Sequence, residues 1–240
     1  GGVILFDKDP NNKKKIKNVK NPKQLQNLTK QLQSINKTKL LIAIDQEGGI
    51  VQRLNSKNGF MSIPKAKDVS TKGILFAKDV YKDLGFMLNK NGVNVNFAPV
   101  VDLNINPDNT VIVKLGRSFG KNPKKVIEYS SVFVEELKKQ NVISVLKHFP
   151  GHGSSLSDSH KGFVDISNTW DDKELEPYKY FIKNDKADMI MTAHVFNKVL
   201  DTKYPATLSK NVNTKLLRDK LKFKGILVTD DLQMRAISKH

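Results

Sequence analysis

Short apolar runs recur along the chain and alternate with longer amphipathic stretches. The runs are rich in β-branched residues and mostly continuous, which is typical of strands buried on both faces of a parallel sheet. Six strands are predicted on this basis. They are GVILF (2–6), KLLIAID (39–45), VNVNFAPVVD (93–102), VISVLKH (142–148), ADMIMTAHV (187–195) and GILVTD (225–230).

Between these runs, apolar residues return at the spacing of an α-helix. The helix over 70–92 is expected to begin with a cap at Ser70 and to end in Asn-Gly. The helix over 122–141 has a proline at its start, where the missing N–H does no harm. The five predicted helices cover 21–35, 70–92, 122–141, 173–185 and 209–221.

The alternation of strand and helix predicts an α/β fold of βα units around a parallel sheet. A doubly wound open sheet and a (β/α)8 TIM-type barrel both fit this pattern. Polar residues at the carboxyl ends of nearly every strand favour the barrel, where those ends meet at one mouth. These residues are Asp45, Asp102, Lys147, His148, His194 and Asp230. No Gly-x-Gly-x-x-Gly follows the first strand, so a dinucleotide-binding fold lacks its fingerprint.

Six strands fall two short of a closed eight-stranded barrel. We therefore expect a single catalytic barrel domain over residues 1–240, incomplete at both ends, with one βα unit missing before Gly1 and one after His240. Any signal peptide would also precede Gly1. A cytoplasmic location is expected, and a periplasmic or exported form stays open.

The chain is strongly basic, with 41 Lys and Arg against 24 Asp and Glu and a formal net charge of +17. Nucleic-acid readers concentrate basic residues on one face and use arginine for base edges. Here only four residues are arginine and the lysines are spread along the whole chain, which favours a solvated surface. A binding protein for anionic polymers remains an alternative. The absence of cysteine excludes disulfides and thiolate chemistry, and no apolar run is long enough to span a membrane.

The segment KHFPGHGSSLSDSH (147–160) holds three of the chain's five histidines. A metal site would use His148, His152 and His160, but Pro150 prevents the helix that would align them. A serine nucleophile with His160 as its base is a second interpretation, although no Gly-x-Ser-x-Gly turn is present.

A third interpretation pairs Asp158 with His160. A carboxylate two residues away can accept from the imidazole, fix its tautomer and raise its basicity, which suits a general acid and base near neutral pH. The same two residues could instead only stabilise turns. The local sequence leaves this choice open.

Four motifs, in order along the chain, bear on this choice between a catalytic and a structural role. They are IAIDQEGGIVQRL (42–54), LGRSF (115–119), KHFPGHGSSLSDSH (147–160) and VTDDLQM (228–234). Together they resemble the family 3 glycoside hydrolases, and specifically the bacterial β-N-acetylglucosaminidase (β-hexosaminidase) branch. The resemblance covers essentially the whole chain, and the histidine-rich motif is its most specific part.

The resemblance implies roles for individual residues. Asp230 matches the catalytic nucleophile of a retaining mechanism, and His160 matches the general acid and base, with Asp158 as its dyad partner. A further set matches the positions that hold the non-reducing N-acetylglucosamine (GlcNAc): Asp45, Arg53, Arg117, Lys147 and His148. No cofactor and no metal are implied.

The implied substrate is a GlcNAc-containing muropeptide, cut from the non-reducing end during peptidoglycan recycling, or a chitooligosaccharide. Neither a nucleic acid nor a membrane is expected as a partner, and a monomer is expected. The alternatives are another family 3 exo-glycosidase, such as a β-glucosidase, and a GlcNAc phosphorylase.

Several polar residues also have a purely structural interpretation. Asp45, Asp102 and Asp231 could cap helices, and Arg53 could pair with Glu47. A supporting role, rather than contact with the reacting atoms, is expected for Asp102, His194 and His152.

Overall fold

The computed structural model describes residues 1–9, 12–156, 162–234 and 237. These residues form two compact units. The first comprises Gly1–Pro99 and Ser131–Ser144, and the second comprises Val100–Ser130 and Val145–His240.

Parallel strands form the centre of the first unit. Strand β1 pairs with β4, β4 pairs with β7, and β7 pairs with the first two residues of β8. Ile42, Ile44 and Val95 are at most 1% exposed, as expected for strands covered on both faces. Two antiparallel hairpins, β2–β3 and β5–β6, accompany this sheet. The strands are β1 (Gly2–Leu5), β2 (Lys8–Asp9), β3 (Asn12–Ile16), β4 (Leu41–Ile44), β5 (Gln46–Gly48), β6 (Val51–Gln52), β7 (Val95–Asn96) and β8 (Ile143–Phe149).

Two helix ends in the first unit follow directly from the local sequence. At the start of the first helix, the Asn21 side chain accepts from the Gln24 N–H at 2.9 Å, and Pro22 opens the first turn. After the third helix, Gly92 has a φ of +76°, and a Cβ there would overlap the Thr29 side chain. The helices are α1 (Pro22–Ser34), α2 (Ala66–Val69), α3 (Ile74–Lys90) and α4 (Pro123–Lys139), which lies in this unit from Ser131 onward. A 3₁₀ turn covers Ser56–Asn58.

The second unit continues with the remaining residues of β8. They pair in parallel with β9 (Met189–Thr192), which pairs in parallel with β10 (Ile226–Thr229). Every residue of β9 is buried. The peptide bonds Lys147–His148 and Phe149–Pro150 at the end of β8 are cis.

Two further helices and two 3₁₀ turns lie in the described part of the second unit, in addition to the first residues of α4. Helix α5 (Glu176–Lys183) buries Tyr178 and Phe181, and the Tyr178 ring packs edge-on against Phe149 with the centroids 5.1 Å apart. Helix α6 (Asn211–Lys220) has π-type hydrogen bonding, and the Ser209 hydroxyl accepts from the Val212 N–H at its start. The 3₁₀ turns cover Asp172–Leu175 and Ala206–Leu208.

Each of the six predicted strands is present, with helices between them, which confirms the α/β prediction. The third strand is shorter than predicted: β7 covers only Val95–Asn96, and Pro99 lacks the N–H that a continuing ladder needs. The cap predicted at Ser70 is wrong. Ser70 follows α2, and Gly73, with a φ of +92°, separates it from α3.

The expectation of one catalytic domain over 1–240 stays a prediction. No helix in the described part of the chain is long and apolar enough to cross a membrane.

Candidate active site

Asp102 is the centre of the hydrogen-bond network in the second unit. It is 1% exposed, and its Oδ1 accepts the backbone N–H groups of His148 at 3.2 Å and His152 at 2.9 Å. Its Oδ2 lies 2.6 Å from Nδ1 of the His148 ring. Burial alone would raise the pKa of Asp102, but its interactions with His148, followed by those with His152, hold it below the usual value. The structural alternative of a helix cap is therefore wrong for Asp102.

The His148 ring is engaged on both nitrogens. The Asp102 carboxylate only accepts, so Nδ1 donates to it. Arg117 Nη2 lies 3.4 Å from Nε2 of the same ring, and a guanidinium only donates. This contact favours the neutral ring with its proton on Nδ1. Arg117 is itself held by a hydrogen bond from Nη1 to the Val111 carbonyl at 3.1 Å. Arg117 and His148, which the family resemblance implies as sugar-binding residues, are thus adjacent.

The loop after β8 is fixed by side chains from distant segments. The Asn109 amide donates to the His152 carbonyl at 2.8 Å, and its Oδ1 accepts from Ile112 N at 2.7 Å. A Cβ at Gly153 would overlap the Leu103 carbonyl oxygen, so this position requires glycine. The loop is therefore built into the unit through its backbone.

His152 is buried behind this loop. Its Nδ1 lies 2.7 Å from the Ser155 hydroxyl. Burial, and then the neighbouring His148, lower the pKa of His152 to about 4. The ring is therefore neutral at physiological pH, and the supporting role expected for His152 stays a prediction.

Glu174 is a buried acid that the sequence did not reveal. It is 0% exposed, and its Oε2 accepts the Gly153 N–H at 2.8 Å. Burial raises the pKa of Glu174 to about 8, with the charge of Asp102 acting in the same direction and hydrogen bonds from Ser154 and Gly153 opposing it. At neutral pH, Glu174 is a neutral acid that holds the loop without adding a second charge beside Asp102.

Replacement of Glu174 by Gln should flatten the pH dependence of stability. The folded-state pKa of about 8 exceeds the ordinary 4.5, so the unfolded chain releases a proton that the folded chain retains. Stability therefore falls as pH rises from 4.5 towards 8. Between about pH 6.5 and 8.5 the wild type should lose about 2 kcal/mol more than Glu174→Gln. Urea unfolding at both pH values measures this difference.

Glu176→Gln is the matched control, because Glu176 is a half-exposed partner of Lys179 at 2.9 Å. It should keep the wild-type slope. Equal slopes for wild type and Glu174→Gln would show that Glu174 ionises normally in the folded protein.

Asp230 follows strand β10 and is half-buried. Its Oδ1 accepts the N–H of Asp231 at 2.8 Å. Burial would raise the pKa of Asp230, but the interaction with His148, the Asp231 N–H, and the charges of Lys147 and His194 together hold it below the usual value. The carboxylate is therefore ionised at neutral pH, as a nucleophile must be.

Lys147 and His194, which lower the pKa of Asp230, come from the ends of two other strands of this unit. Lys147 is 2% exposed at the end of β8, with its carbonyl accepting the Val101 N–H at 2.8 Å. His194 lies just after β9, and its Nε2 is 2.9 Å from the Asp231 carbonyl oxygen. The Asp231 carboxylate accepts from the Gln233 N–H at 2.9 Å within a turn, and no helix begins there in the described residues.

Asp45 and Arg53 lie in the first unit. Arg53 Nη2 and Asp45 Oδ2 form an ion pair at 3.3 Å, and the guanidinium lies over the Phe6 ring at 5.3 Å. Asp45 precedes strand β5 rather than a helix, so its interpretation as a helix cap is wrong. The acidic partner that the structure gives Arg53 is Asp45, not the Glu47 considered from sequence.

The two alternative interpretations of the histidine-rich segment both use His160, which lies outside the described residues. Both ring nitrogens of His148 are engaged, and within the described residues no group of three or more His, Asp or Glu side chains could hold a metal. Ser154 and Ser155 are fully buried, and Ser155 is bonded to His152. The predicted dyad, Asp158 and His160, lies outside the described residues.

The glycosyl hydrolase family 3 N terminal domain matches residues 1–240, the whole chain. The chain belongs to this family. Beta-hexosaminidase A of Pseudoalteromonas piscicida is 39% identical over 257 residues, covering 99% of this chain and 42% of that protein. A family 3 beta-N-acetylglucosaminidase from Paenibacillus sp. str. FPU-7 superposes with a TM-score of 0.89 at 37% identity, covering 100% of this chain and 44% of that one.

A third family 3 relative is NagZ from Neisseria gonorrhoeae, solved in complex with N-trifluoroacetyl-D-glucosamine. It has a TM-score of 0.85 and 31% identity, covering 97% of this chain and 67% of that one. The chain thus spans less than half of the first two relatives. Family membership and these superpositions confirm the resemblance to the β-N-acetylglucosaminidase (β-hexosaminidase) branch. They also confirm the TIM-type α/β fold predicted from the sequence.

Proposed function

We propose that this chain is the catalytic domain of a retaining exo-β-N-acetylglucosaminidase. It removes the non-reducing terminal GlcNAc from peptidoglycan (muropeptide) fragments. The observation that carries the proposal is the Asp230 carboxylate at the end of β10, kept ionised by its interactions with His148 and Lys147, in a chain whose relatives are named beta-hexosaminidase and beta-N-acetylglucosaminidase.

The proposed reaction has two steps. Asp230 attacks the anomeric carbon, the glycosidic C–O bond breaks, and His160 gives its proton to the departing oxygen. In the second step His160 takes a proton from water, which attacks the anomeric carbon and releases the Asp230 carboxylate. Asp158 would hold the imidazole in the right tautomer. A histidine performs this role without a second negative charge beside Asp230.

Sugar hydroxyls are held best by charged and bidentate partners, and the five predicted binding residues supply them. In the second unit, Arg117 reaches the Nε2 edge of His148, while Asp102 fixes the opposite edge of that ring. This arrangement would hold a sugar against a rigid imidazole. In the first unit, the ion-paired Asp45 and Arg53 stay predicted GlcNAc-binding residues.

The high positive charge supports an acidic substrate. Muropeptides carry carboxylates on their peptide stems, and a net charge of +17 attracts anions from solution. We therefore propose a muropeptide as the natural substrate in preference to a neutral chitooligosaccharide.

The proposal predicts faster hydrolysis of para-nitrophenyl β-GlcNAc than of para-nitrophenyl β-glucoside. We expect a preference of at least about a hundredfold, since a site built to hydrogen-bond a polar group rejects an analogue that lacks it. The measurement is kcat/KM for both substrates with the full chain, followed by a GlcNAc-muropeptide and chitobiose at two salt concentrations.

Three other outcomes of this measurement would each favour one of the alternative functions. Preference for the glucoside would indicate a β-glucosidase, and dependence on added phosphate would indicate a phosphorylase. No activity in a folded protein that binds anionic polymer in a steeply salt-dependent way would favour the binding-protein alternative.

The monomeric state and the cytoplasmic location stay predictions. Sedimentation velocity and cell fractionation test them directly.

A further inference from the structure

We propose that His194 is a positioning residue for the nucleophile, fixing the backbone that orients the Asp230 carboxylate. The proposal rests on the proposed function, in which Asp230 attacks the sugar. His194 itself is not required to touch substrate.

The His194 ring is locked between two hydrogen-bonding groups. It is 2% exposed, with Nδ1 at 2.7 Å from Thr207 Oγ1 and Nε2 at 2.9 Å from the Asp231 carbonyl oxygen. A carbonyl oxygen only accepts, so Nε2 carries a proton and donates it. The buried imidazole therefore anchors the main chain of Asp231.

Asp231 in turn controls the nucleophile. Its backbone N–H donates to Asp230 Oδ1 at 2.8 Å, and the Asp230 N–H reaches the Thr192 carbonyl at 3.3 Å. Asp231 thus accepts a hydrogen bond from His194 at its carbonyl and donates one from its backbone amide to the Asp230 carboxylate. A shift of this backbone would rotate the attacking oxygen, and small misplacements of reacting groups cost up to about a hundredfold in rate.

Thr207 allows the anchor to persist in two protonation states. Its hydroxyl lies 2.9 Å from the Ala193 carbonyl as well as 2.7 Å from His194 Nδ1. In the neutral ring, the hydroxyl proton turns to Nδ1; in the cationic ring, Nδ1–H donates and the hydroxyl turns to Ala193. In both states Nε2 keeps its proton, so the hydrogen bond to Asp231 survives when Asp230 changes from a carboxylate to a glycosyl ester.

The test compares substitutions at position 194. His194→Phe keeps the ring but removes the donor, and should lower kcat about tenfold to a hundredfold with KM changed less than about threefold. His194→Gln places an amide donor near the position of Nε2 and should recover kcat to within about fivefold of wild type. Should the Phe variant fail to fold, His194→Asn replaces it, because its amide is too short to reach Asp231.

A second readout does not depend on activity. The carboxyl of Asp230, identified by its loss in Asp230→Asn, can be titrated by ¹³C NMR. The residues that lower its pKa are His148, Lys147 and His194. In His194→Phe the pKa of Asp230 should rise by about half a unit or more, because one stabilising neighbour is lost and the Asp231 N–H is no longer held.

Ser209→Ala is the matched control. The Ser209 hydroxyl is buried two residues after Thr207 and accepts from Val212 N at 3.0 Å, but it leads to no residue of the site. It should lower the melting temperature and leave kcat within about twofold.

A folded His194→Phe with wild-type kcat and an unchanged Asp230 titration would overturn the positioning role. A wild-type protein without glycosidase activity would defeat the proposed function instead, and the NMR titration would still decide the role of His194.

Discussion

Asp230→Asn should abolish hydrolysis of every GlcNAc substrate, with kcat reduced at least about a thousandfold. The amide oxygen can still accept the Asp231 N–H, so the local backbone is preserved while the nucleophilic charge is lost. Steady-state kinetics on para-nitrophenyl β-GlcNAc and on a chitooligosaccharide measure the loss for a good and a poor leaving group. Asp219→Asn, an exposed aspartate of α6, is the control and should retain activity.

His160→Ala distinguishes the nucleophile from the acid. Loss of Asp230 should affect both leaving groups, whereas loss of His160 should spare the activated aryl group, which needs little protonation. Equal losses on both substrates in His160→Ala would argue against the acid role. Substantial turnover by Asp230→Asn would remove Asp230 as the nucleophile.

Asp102→Asn should lose both stability and activity. The carboxylate accepts from two backbone N–H groups on Oδ1 and from the His148 ring on Oδ2. An amide can satisfy only one side, so its NH2 group must face another donor. We expect a loss of about 3 to 5 kcal/mol in the free energy of unfolding, because three hydrogen bonds to a buried charged acceptor are weakened or lost.

The activity of Asp102→Asn should also fall, by at least about a hundredfold, under conditions where the variant is folded. If the amide NH2 faces the His148 ring, the ring must accept on Nδ1 and carry its proton on Nε2, where it opposes the Arg117 donor. Urea unfolding measures the loss of stability. The value of kcat/KM, determined below the midpoint of unfolding, measures the loss of activity. Asp108→Asn, whose side chain is 78% exposed, should change neither. A stable, active Asp102→Asn would contradict the central place of this carboxylate.

The sequence predicts the strands and helices well because apolar periodicity records burial directly. It also places Lys147, His148, His194 and Asp230 at strand ends, and the structure brings them close together in the second unit. Local capping signals were less reliable. Ser70 looked like the start of α3, but the backbone of Gly73 sets that start.

The network around the strand ends could not be predicted, because its partners are far apart in sequence. The sequence predicts a supporting role for Asp102 but not its partners, which lie 46 and 50 positions later. Glu174 lies in KELEPYKY, where a glutamate normally faces solvent at the start of a helix. Only the packing of the loop over Glu174 makes it a buried acid.

The long-range hydrogen bonds of the loop after β8 also affect how this loop folds and unfolds. Its backbone is held by Asn109, Asp102 and Glu174, which lie 43, 50 and 21 residues from their partners in the chain. Contacts of such sequence separation form only after both segments are already in place. The loop should therefore order late in folding and open as one cooperative unit, so that its amides exchange with solvent together rather than one by one.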